Sequence, residues 1–287
     1  MDGFTACMED QKARARANAK GDAWGSFNDV WVELSDKVDS TEFDGYDNDV
    51  IEGAKVVAIV RNGESVESAA AGEDVEVVLD RTPFYAEMGG QQGDAGELSA
   101  EGVALTISDT KNHNGLYAHV AQVAEGTLTV GATVTAALDA ERRGFLRRNH
   151  TATHLLDAAL KQVLGEHVSQ AGSLVTPEHL RFDFTHFEAL SSEQLKAVED
   201  LVNQQIFASK PVVTRVMGID EAKAAGAVAL FGEKYGDVVR VVSVGAEDQP
   251  FSRELCGGTH AANTAEIGLF KIISESSTGS NVRRIEP

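Results

Sequence analysis

Hydrophobic and polar positions follow a strand-like pattern between residues 50 and 140. Short β-branched apolar runs alternate there with clusters of glycine and asparagine, which is typical of strands joined by tight turns. The Asn62-Gly63 pair is a hairpin signal. This spacing predicts a small antiparallel barrel or sandwich. The predicted strands are 54–60, 75–80, 103–108, 119–123 and 133–138.

The pattern changes after residue 140, where helical and strand-like periods mix. The strongest helix is predicted over 141–165 and ends at Gly165. A second helix is predicted over 191–209, where Ser191 and Gln194 fit a capping box. This order predicts an α+β fold with antiparallel strands and helices on one face. The strands predicted in this half are 180–184, 211–217, 238–244 and 268–274.

The first 49 residues differ in composition from the two segments that follow them. Residues 5–20 lack glycine and proline and are rich in helix formers, so they are predicted to be helical. Residues 21–49 are acidic with scattered aromatics, as in a linker or docking segment, or simply a covered edge of the next domain. We therefore divide the chain into 1–49, 50–140 and 141–287.

The amino-acid composition limits the classes of protein to which the chain can belong. The chain has 287 residues, 43% hydrophobic and 24% charged, which is ordinary for a soluble globular protein of about two domains. It has no apolar run long enough for a membrane span, no basic signal sequence, and only two cysteines. We expect a cytoplasmic, reducing location without membrane association.

The net charge of −20 argues against a general nucleic-acid-binding surface, because phosphate neutralisation needs basic side chains. Any nucleic-acid contact must therefore be local or assisted by another domain. The one dense basic cluster comprises Arg142, Arg143, Arg147 and Arg148.

Four side chains have the chemistry of a metal site. His150 and His154 lie one helical turn apart, within about 40° of one another. The helix's apolar stripe, which includes Phe145, points roughly the opposite way. Downstream, two glycines within the segment 256–260 allow Cys256 and His260 to reach one point. Two imidazoles, a thiolate and a third imidazole suit tetrahedral zinc.

A metalloprotease is excluded as the class of this site. That motif requires a glutamate directly after the first histidine, and position 151 is threonine.

Several separated motifs resemble one family in the correct order. The segment 150–156 reads HTATHLL, followed by SQAGSLV at 169–175, RFDF at 181–184, ELCGGTH at 254–260 and NVRRIE at 281–286. Together they resemble the editing domain of alanyl-tRNA synthetase. The glycine-rich stretch 80–98 resembles the β-barrel that precedes it, and residues 1–20 resemble the tail of the tRNA-recognition region.

The resemblance implies a small antiparallel β-barrel followed by an α+β, zinc-containing editing domain. It implies an aminoacyl-ester hydrolase that clears serine and glycine from tRNA(Ala), acting with the other domains of the synthetase. Zinc would be held by His150, His154, Cys256 and His260. Beside it, Thr153 would recognise the serine hydroxyl, and Gln170 and Ser173 would line the pocket.

Contacts to the tRNA acceptor end are implied less directly. Arg283 and Arg284 fall where the family places arginine near the tRNA terminus. Arg147 and Arg148 precede His150 by one turn or less, so phosphate contact is favoured slightly over a solvated face. Gly89 and Gly90 form either a tight barrel loop or a loop that helps to admit the tRNA end.

Other functions remain open at this stage. The chain is either part of a synthetase or a related free-standing editing protein, and the similar editing domain of threonyl-tRNA synthetase fits the motifs less well. A tRNA-binding module with purely structural zinc is the non-enzymatic alternative. Zinc is expected to orient the substrate rather than activate water, because Asp183 is the only nearby carboxylate and is expected to pair with Arg181.

Overall fold

The structure, a computed structural model, describes residues 27–229 and 235–287. The predicted helix over 5–20 lies outside the described residues. The described part is α+β, as predicted, with a strand-rich first half and a mixed second half. A short helix, α1 (Phe27–Ser35), precedes the first strands.

The first half is built around a closed antiparallel barrel. Its ring runs β2-β5-β9-β8-β7-β11, and β11 pairs with β2 to close it. The barrel strands are β2 (Val50–Arg61), β5 (Asp74–Leu79), β7 (Gly96–Ala100), β8 (Val103–His113), β9 (Leu116–Glu125) and β11 (Thr133–Leu138). The flanking strands are β1 (Glu42–Phe43), β3 (Glu64–Val66), β4 (Ser68–Ala70), β6 (Arg81–Thr82) and β10 (Thr127–Thr129).

All five strands predicted in this half are present, and the barrel alternative is confirmed. The predicted Asn62-Gly63 turn joins β2 to β3. The interior is filled by apolar side chains such as Leu98, Leu105 and Val77. Trp31 of α1 packs on a separate apolar patch of the barrel wall, so this part of 21–49 is a docked segment and not a free linker.

The second half combines helices with two antiparallel sheets. One sheet has the order β12-β13-β18-β17 and the other β14-β15-β16. The helices are α2 (Ala140–Leu164), α3 (Ser192–Phe207), α4 (Ile219–Ala224) and a 3-10 turn (Thr264–Ile267). The strands are β12 (Gln170–Val175), β13 (Leu180–Thr185), β14 (Val212–Gly218), β15 (Val238–Gly245), β16 (Pro250–Leu255), β17 (Ser274–Gly279) and β18 (Val282–Glu286).

The helix ends follow the local sequence signals. Asp139 caps α2 by accepting a hydrogen bond from the Arg142 amide, and Gly165 ends the helix as predicted. Ser191 and Gln194 form the predicted capping box at the start of α3. These signals act within one turn of chain, which is why the sequence reveals them.

The predicted strand over 268–274 is wrong, because residues 268–273 are irregular. Backbone groups of Phe270 and Ile272 bond to side chains of α3, and the Ile273 amide, next to β17, donates to the Glu286 carbonyl of β18. The Asn203 side chain both donates to the Phe270 carbonyl and accepts from its amide, and Glu199 accepts from the Ile272 amide. Phe270 is buried, so the apolar run reflects core packing and not strand pairing.

Helix α2 lies at the centre of the molecule and is enclosed on nearly every side. The residues from His150 to Asp157 are all buried, including the histidine side of the helix. Phe145, assigned to the apolar stripe, is instead 41% exposed. The predicted apolar face is present, with Ala152 and Leu156 in the core, and only Phe145 was wrongly assigned to it. The histidine side of the central turns is buried as well, because other segments cover it.

Arg143 is fully buried and docks α2 on the barrel. Its guanidinium makes a bidentate ion pair with Asp94 of the glycine-rich stretch and donates to the carbonyls of Gly45 (2.6 Å) and Pro83 (2.9 Å). It is therefore unavailable to a phosphate, and the predicted phosphate-binding cluster loses this member. A sequence places four arginines together without showing which one faces inward.

The division of the chain into domains at residues 49 and 140 stays a prediction.

Among the helices of 27–229 and 235–287, none combines the length and hydropathy needed to cross a bilayer.

Replacing Arg143 with methionine is expected to cost about 3–5 kcal/mol of unfolding free energy, because Asp94 would keep a buried charge without a partner. The matched Arg148→Met change, at an exposed position on the same helix, is expected to stay within about 0.5 kcal/mol. Urea unfolding followed by circular dichroism measures both. Equal stability of the two variants would contradict the docking role of Arg143.

Candidate metal centre

The four side chains selected from the sequence converge in space. His150 and His154 project from one side of α2, and Cys256 and His260 lie in the loop after β16. One potential ligand atom from each lies within 4.8 Å of the others. The Cys256 Sγ atom is 3.5 Å from His150 Nε2 and 3.3 Å from His260 Nε2. The spatial meeting required for a shared metal ion is therefore present.

The loop is shaped by a close approach at Gly258. A Cβ atom at that position would lie 2.0 Å from His150 Cε1 and 2.4 Å from Nδ1, so only glycine leaves room for the imidazole. A Cβ atom at the neighbouring Gly257 would meet only the flexible end of Met88, at 3.6 Å. The two glycines of the motif therefore have different roles, and Gly258 is the one that admits the ring.

Two side chains outside the donor set hold the same loop from its outer side. The Arg240 guanidinium donates to the carbonyls of Cys256 (3.0 Å) and Gly258 (2.7 Å). It also lies 4.1 Å from the centre of the Tyr46 ring, in cation–π geometry. The Tyr46 hydroxyl donates to the Gly257 carbonyl at 2.5 Å. Arg240 and Tyr46 thus hold the backbone of this loop in place and leave the side chains of the donor residues free.

Each of the three histidines directs its Nδ1 atom at an oxygen. His150 Nδ1 is 2.7 Å from Gln91 Oε1, and His260 Nδ1 is 3.2 Å from Thr151 Oγ1. The Thr151 hydroxyl donates to the Arg147 carbonyl, so it accepts from His260. Hydrogen bonds at Nδ1 leave the Nε2 atoms free as ligands, which is the usual outer-shell arrangement of zinc-bound histidine.

His154 faces an oxygen without a formed hydrogen bond. Its Nδ1 atom is buried and unpartnered, with Glu254 Oε1 at 3.5 Å. Glu254 is itself held by Ser252, whose hydroxyl donates at 2.7 Å. Burial raises the pKa of Glu254 to about 7. A small rotation of the His154 ring would form the third bond of the outer shell.

Burial controls the charge of the donors. It lowers the pKa of His154 to about 3 and lowers those of His150 and His260 well below the ordinary value, with neighbouring positive charges adding to the effect. The imidazoles are therefore neutral and able to bind a metal. Burial also raises the pKa of the Cys256 thiol to about 12, so thiolate formation needs a compensating positive charge.

These features fit a zinc ion. Three neutral imidazoles and one thiol form the borderline-soft donor set that zinc prefers, the atoms are close enough to share one ion, and two of three Nδ1 atoms already have outer-shell partners.

The structure brings the implied pocket residues together as neighbours in the sheet. Gln170 Nε2 donates to Ser173 Oγ at 3.1 Å within strand β12, past a bulge between Gln170 and Gly172. Thr153 is buried, and its hydroxyl donates back to the Asn149 carbonyl of its own helix. A Cβ atom on Gly90 would lie 2.7 Å from Ser173 Oγ, so the glycine-rich loop covers this strand. The roles assigned to these residues stay predictions.

Gly89 and Gly90 lie in a tight turn with positive φ angles of 62° and 84°. The Gly90 carbonyl accepts from the Val175 amide, and the Gln92 amide donates to the Val175 carbonyl. The tight barrel loop is therefore real, and it packs on β12 of the second half. Its assistance to a tRNA end stays a prediction.

The four implied tRNA-binding arginines differ in how far they are already engaged. Arg283 pairs with Glu275, and Arg284 makes a bidentate pair with Asp183. The expected partner of Asp183 was Arg181, whose Nε is farther away at 3.7 Å. Arg148 is exposed and lies over the Phe145 ring.

Arg147 lines a cavity of about 500 Å³ on the His260 side of the centre, with Tyr46, Arg240 and Thr259 among its other walls. Its guanidinium is 3.8 Å from Asp49, so its charge is only loosely engaged. Of the two arginines near His150, it is the one that borders the candidate metal centre.

Comparison with known proteins adds the family. A model described as "tRNA synthetases class II (A)" matches residues 1–142, and one described as "Threonyl and Alanyl tRNA synthetase second additional domain" matches residues 239–286. Alanine–tRNA ligases are 51% identical in Rhizobium meliloti (strain 1021), 52% in Sinorhizobium medicae (strain WSM419) and 48% in Mesorhizobium japonicum. Each alignment covers 99% of this chain and 33% of the relative.

This chain belongs to the alanyl-tRNA synthetase family. The resemblance inferred from its motifs is confirmed. The chain spans about a third of the length of the curated relatives that it matches. The match over residues 239–286 includes Cys256, His260 and Arg240, so half of the candidate metal centre lies in the additional domain shared by threonyl and alanyl enzymes.

Sequence reasoning missed the residues around the donors in this family member. They belong to five separate segments, and three of them, Gln91, Thr151 and Glu254, fall inside the motifs that carry the resemblance. Their contacts with the donors depend on folding, so residue type alone did not mark them. The missed residues are Tyr46, Gln91, Thr151, Arg240 and Glu254.

Gly258→Ala is expected to weaken zinc binding by at least tenfold, because the new methyl group would displace His150 or the loop. Gly257→Ala is the matched control and is expected to bind zinc within about threefold of the unmodified chain, which is less than the tenfold change worth 1.4 kcal/mol. Competition with a chelating dye measures both affinities. Equal binding by the two variants would contradict the close approach at Gly258.

Proposed function

We propose that this chain hydrolyses the ester bond of misacylated tRNA(Ala) in a zinc-dependent reaction, and so performs the proofreading step of an alanyl-tRNA synthetase. The observation that carries the proposal is the convergence of His150, His154, Cys256 and His260. Family membership and the match of residues 239–286 to an additional domain of alanyl and threonyl enzymes support it.

The chemical need for such a step follows from the limits of binding selectivity. A pocket made for alanine cannot exclude glycine, which is smaller, and excludes serine only weakly, because serine adds a single hydroxyl. Hydrolysis at a second site removes the wrongly attached amino acid. We therefore propose seryl- and glycyl-tRNA(Ala) as the substrates.

A zinc ion held by the four donors would supply Lewis acidity or orient the aminoacyl group. The chain's own residues would do the remaining work. Gln170, with backbone groups, would position the attacking water and stabilise the developing oxyanion, and Ser173 holds its amide in place. Thr153 would recognise a serine hydroxyl.

The carboxylates near the site favour the orienting role of zinc. Asp183, the one candidate base found from the sequence, is occupied by the bidentate pair with Arg284. Glu254 lies 3.5 Å from the Nδ1 atom of His154, without a formed hydrogen bond. We therefore assign neither carboxylate the role of base for a water at Gln170.

The tRNA acceptor end is proposed as the partner. Arg147 and Arg148 would contact its phosphates, with Arg283, Arg284, Gly89 and Gly90 at the tRNA terminus. With a net charge of −20, the chain supplies little general attraction for RNA. We therefore propose that the remaining synthetase domains provide most of the tRNA affinity.

One observation favours a second function, a tRNA-binding module with structural zinc. Four protein donors would leave no open position on a four-coordinate zinc ion, which is the pattern of closed structural sites. A free-standing editing protein is the other alternative to a synthetase part, and it would retain the same chemistry.

Purified zinc-loaded chain is expected to release serine from seryl-tRNA(Ala), and Cys256→Ala is expected to lose both zinc and this activity because its tetrahedral shell is incomplete. Deacylation of labelled seryl-tRNA(Ala), with metal analysis of each preparation, checks both. Equal activity of the two proteins would remove the catalytic-site hypothesis. Stoichiometric zinc without turnover would favour the binding module.

Gln170→Ala separates catalysis from structure. The variant is expected to keep its zinc and to deacylate about 10²-fold more slowly, as when one oxyanion donor is lost. Gln162→Ala, on an exposed part of α2, is the matched control and should behave like the unmodified chain. Single-turnover rates at saturating protein provide the measurement, and unchanged rates for Gln170→Ala would rule out its assigned role.

A further inference from the structure

Gln91 touches the candidate metal centre from the barrel and has no role in the function proposed above. It follows Gly89 and Gly90 in the glycine-rich loop, and its side chain is completely buried. Its partners are His150 on α2 and Thr259 in the loop between Cys256 and His260. It therefore links the barrel to both segments that supply metal donors.

The hydrogen bonds of Gln91 determine how its amide is oriented. The Thr259 backbone N–H can only donate, and it points at Gln91 Oε1 from 3.0 Å. Gln91 Nε2 donates to Thr259 Oγ1 at 2.9 Å. Because Oε1 is an acceptor, the His150 Nδ1 atom that lies 2.7 Å from it must carry the proton.

This tautomer has a direct consequence for the metal donors. With its proton on Nδ1, His150 presents an unprotonated Nε2, and that atom faces Cys256 Sγ at 3.5 Å. Outer-shell partners of this kind set the ring orientation and the basicity of metal-bound histidine. One buried amide thus orients His150 and, through Thr259, the loop that contains Cys256 and His260.

The barrel and β12 hold Gln91 rigidly in place. Gln91 and Met88 exchange backbone hydrogen bonds across a tight turn, and the residues on either side of Gln91 both bond to Val175. Three residues farther on, Asp94 is anchored by the buried Arg143. The amide therefore reaches His150 from a support that belongs to a different part of the fold.

We propose that Gln91 is a positioning residue of the metal centre, through which the barrel selects the metal-binding tautomer of His150 and fixes the Thr259 loop. The proposal rests on the metal centre of the proposed function. It does not require that the reaction be ester hydrolysis.

Three variants of the whole chain test this role. Gln91→Met keeps the length of the side chain but removes its hydrogen bonds. Gln91→Glu restores an acceptor for both His150 and Thr259, whose hydroxyl can rotate to donate. Gln92→Met is the matched control, because among the described contacts the Gln92 side chain makes no hydrogen bond.

Zinc affinity is measured by chelator competition, and the ligand field is followed by the visible absorption of the Co²⁺-substituted site. Gln91→Met is expected to bind zinc 10- to 100-fold more weakly and to alter the Co²⁺ spectrum. Gln91→Glu is expected to stay within about fivefold of the unmodified chain, which is less than the 10- to 100-fold loss expected for Gln91→Met. Should Gln91→Met fail to fold, the shorter Gln91→Asn is expected to show the same loss.

Several results would decide the matter. Zinc affinity and a Co²⁺ spectrum equal to those of Gln92→Met would overturn the role of Gln91, and so would a loss in Gln91→Glu as large as in Gln91→Met. Failure of the unmodified chain to bind either ion would overturn this proposal and the proposed function together. The expected order of zinc affinities without any release of serine would support the role of Gln91 while contradicting ester hydrolysis.

Discussion

The enclosure of α2 is the constraint on which the remaining structure depends. Packing on all sides removes water from the central turns of this helix, although they contain charged and polar side chains. A buried polar group without a partner costs far more than an exposed one, so each needs a hydrogen bond or an ion pair. The surrounding segments supply these partners: Asp94 for Arg143, Gln91 for His150, and His260 for the Thr151 hydroxyl.

The candidate metal centre is therefore a product of contacts between elements. The barrel contributes Gln91, α2 contributes two histidines, and the loop after β16 contributes the cysteine and the third histidine. Displacing any one of these segments would leave polar groups of α2 without partners. The same pairing that satisfies the buried helix thus orients the donors, and stability and chemistry share one set of hydrogen bonds.

Several arginines of this acidic protein are engaged by partners within the fold. Arg143, Arg283 and Arg284 are each neutralised by a carboxylate, and Arg240 is engaged by carbonyl groups and the Tyr46 ring. These positive charges therefore hold neighbouring segments of the chain together.

The sequence by itself determined the features that act over a few residues. The i, i+4 histidine pair, the capping box at Ser191, the end of α2 at Gly165 and the Asn62-Gly63 turn depend on local geometry, and the motifs identified the family. Only the tertiary structure decided which groups are buried and what they meet. Gln91 reaches across 59 residues to His150 and 168 to Thr259, and Arg143 across 49 to Asp94. The irregular segment 268–273 was mistaken for a strand for the same reason: side chains of a distant helix bond to the backbone of Phe270 and Ile272, and no local pattern records them.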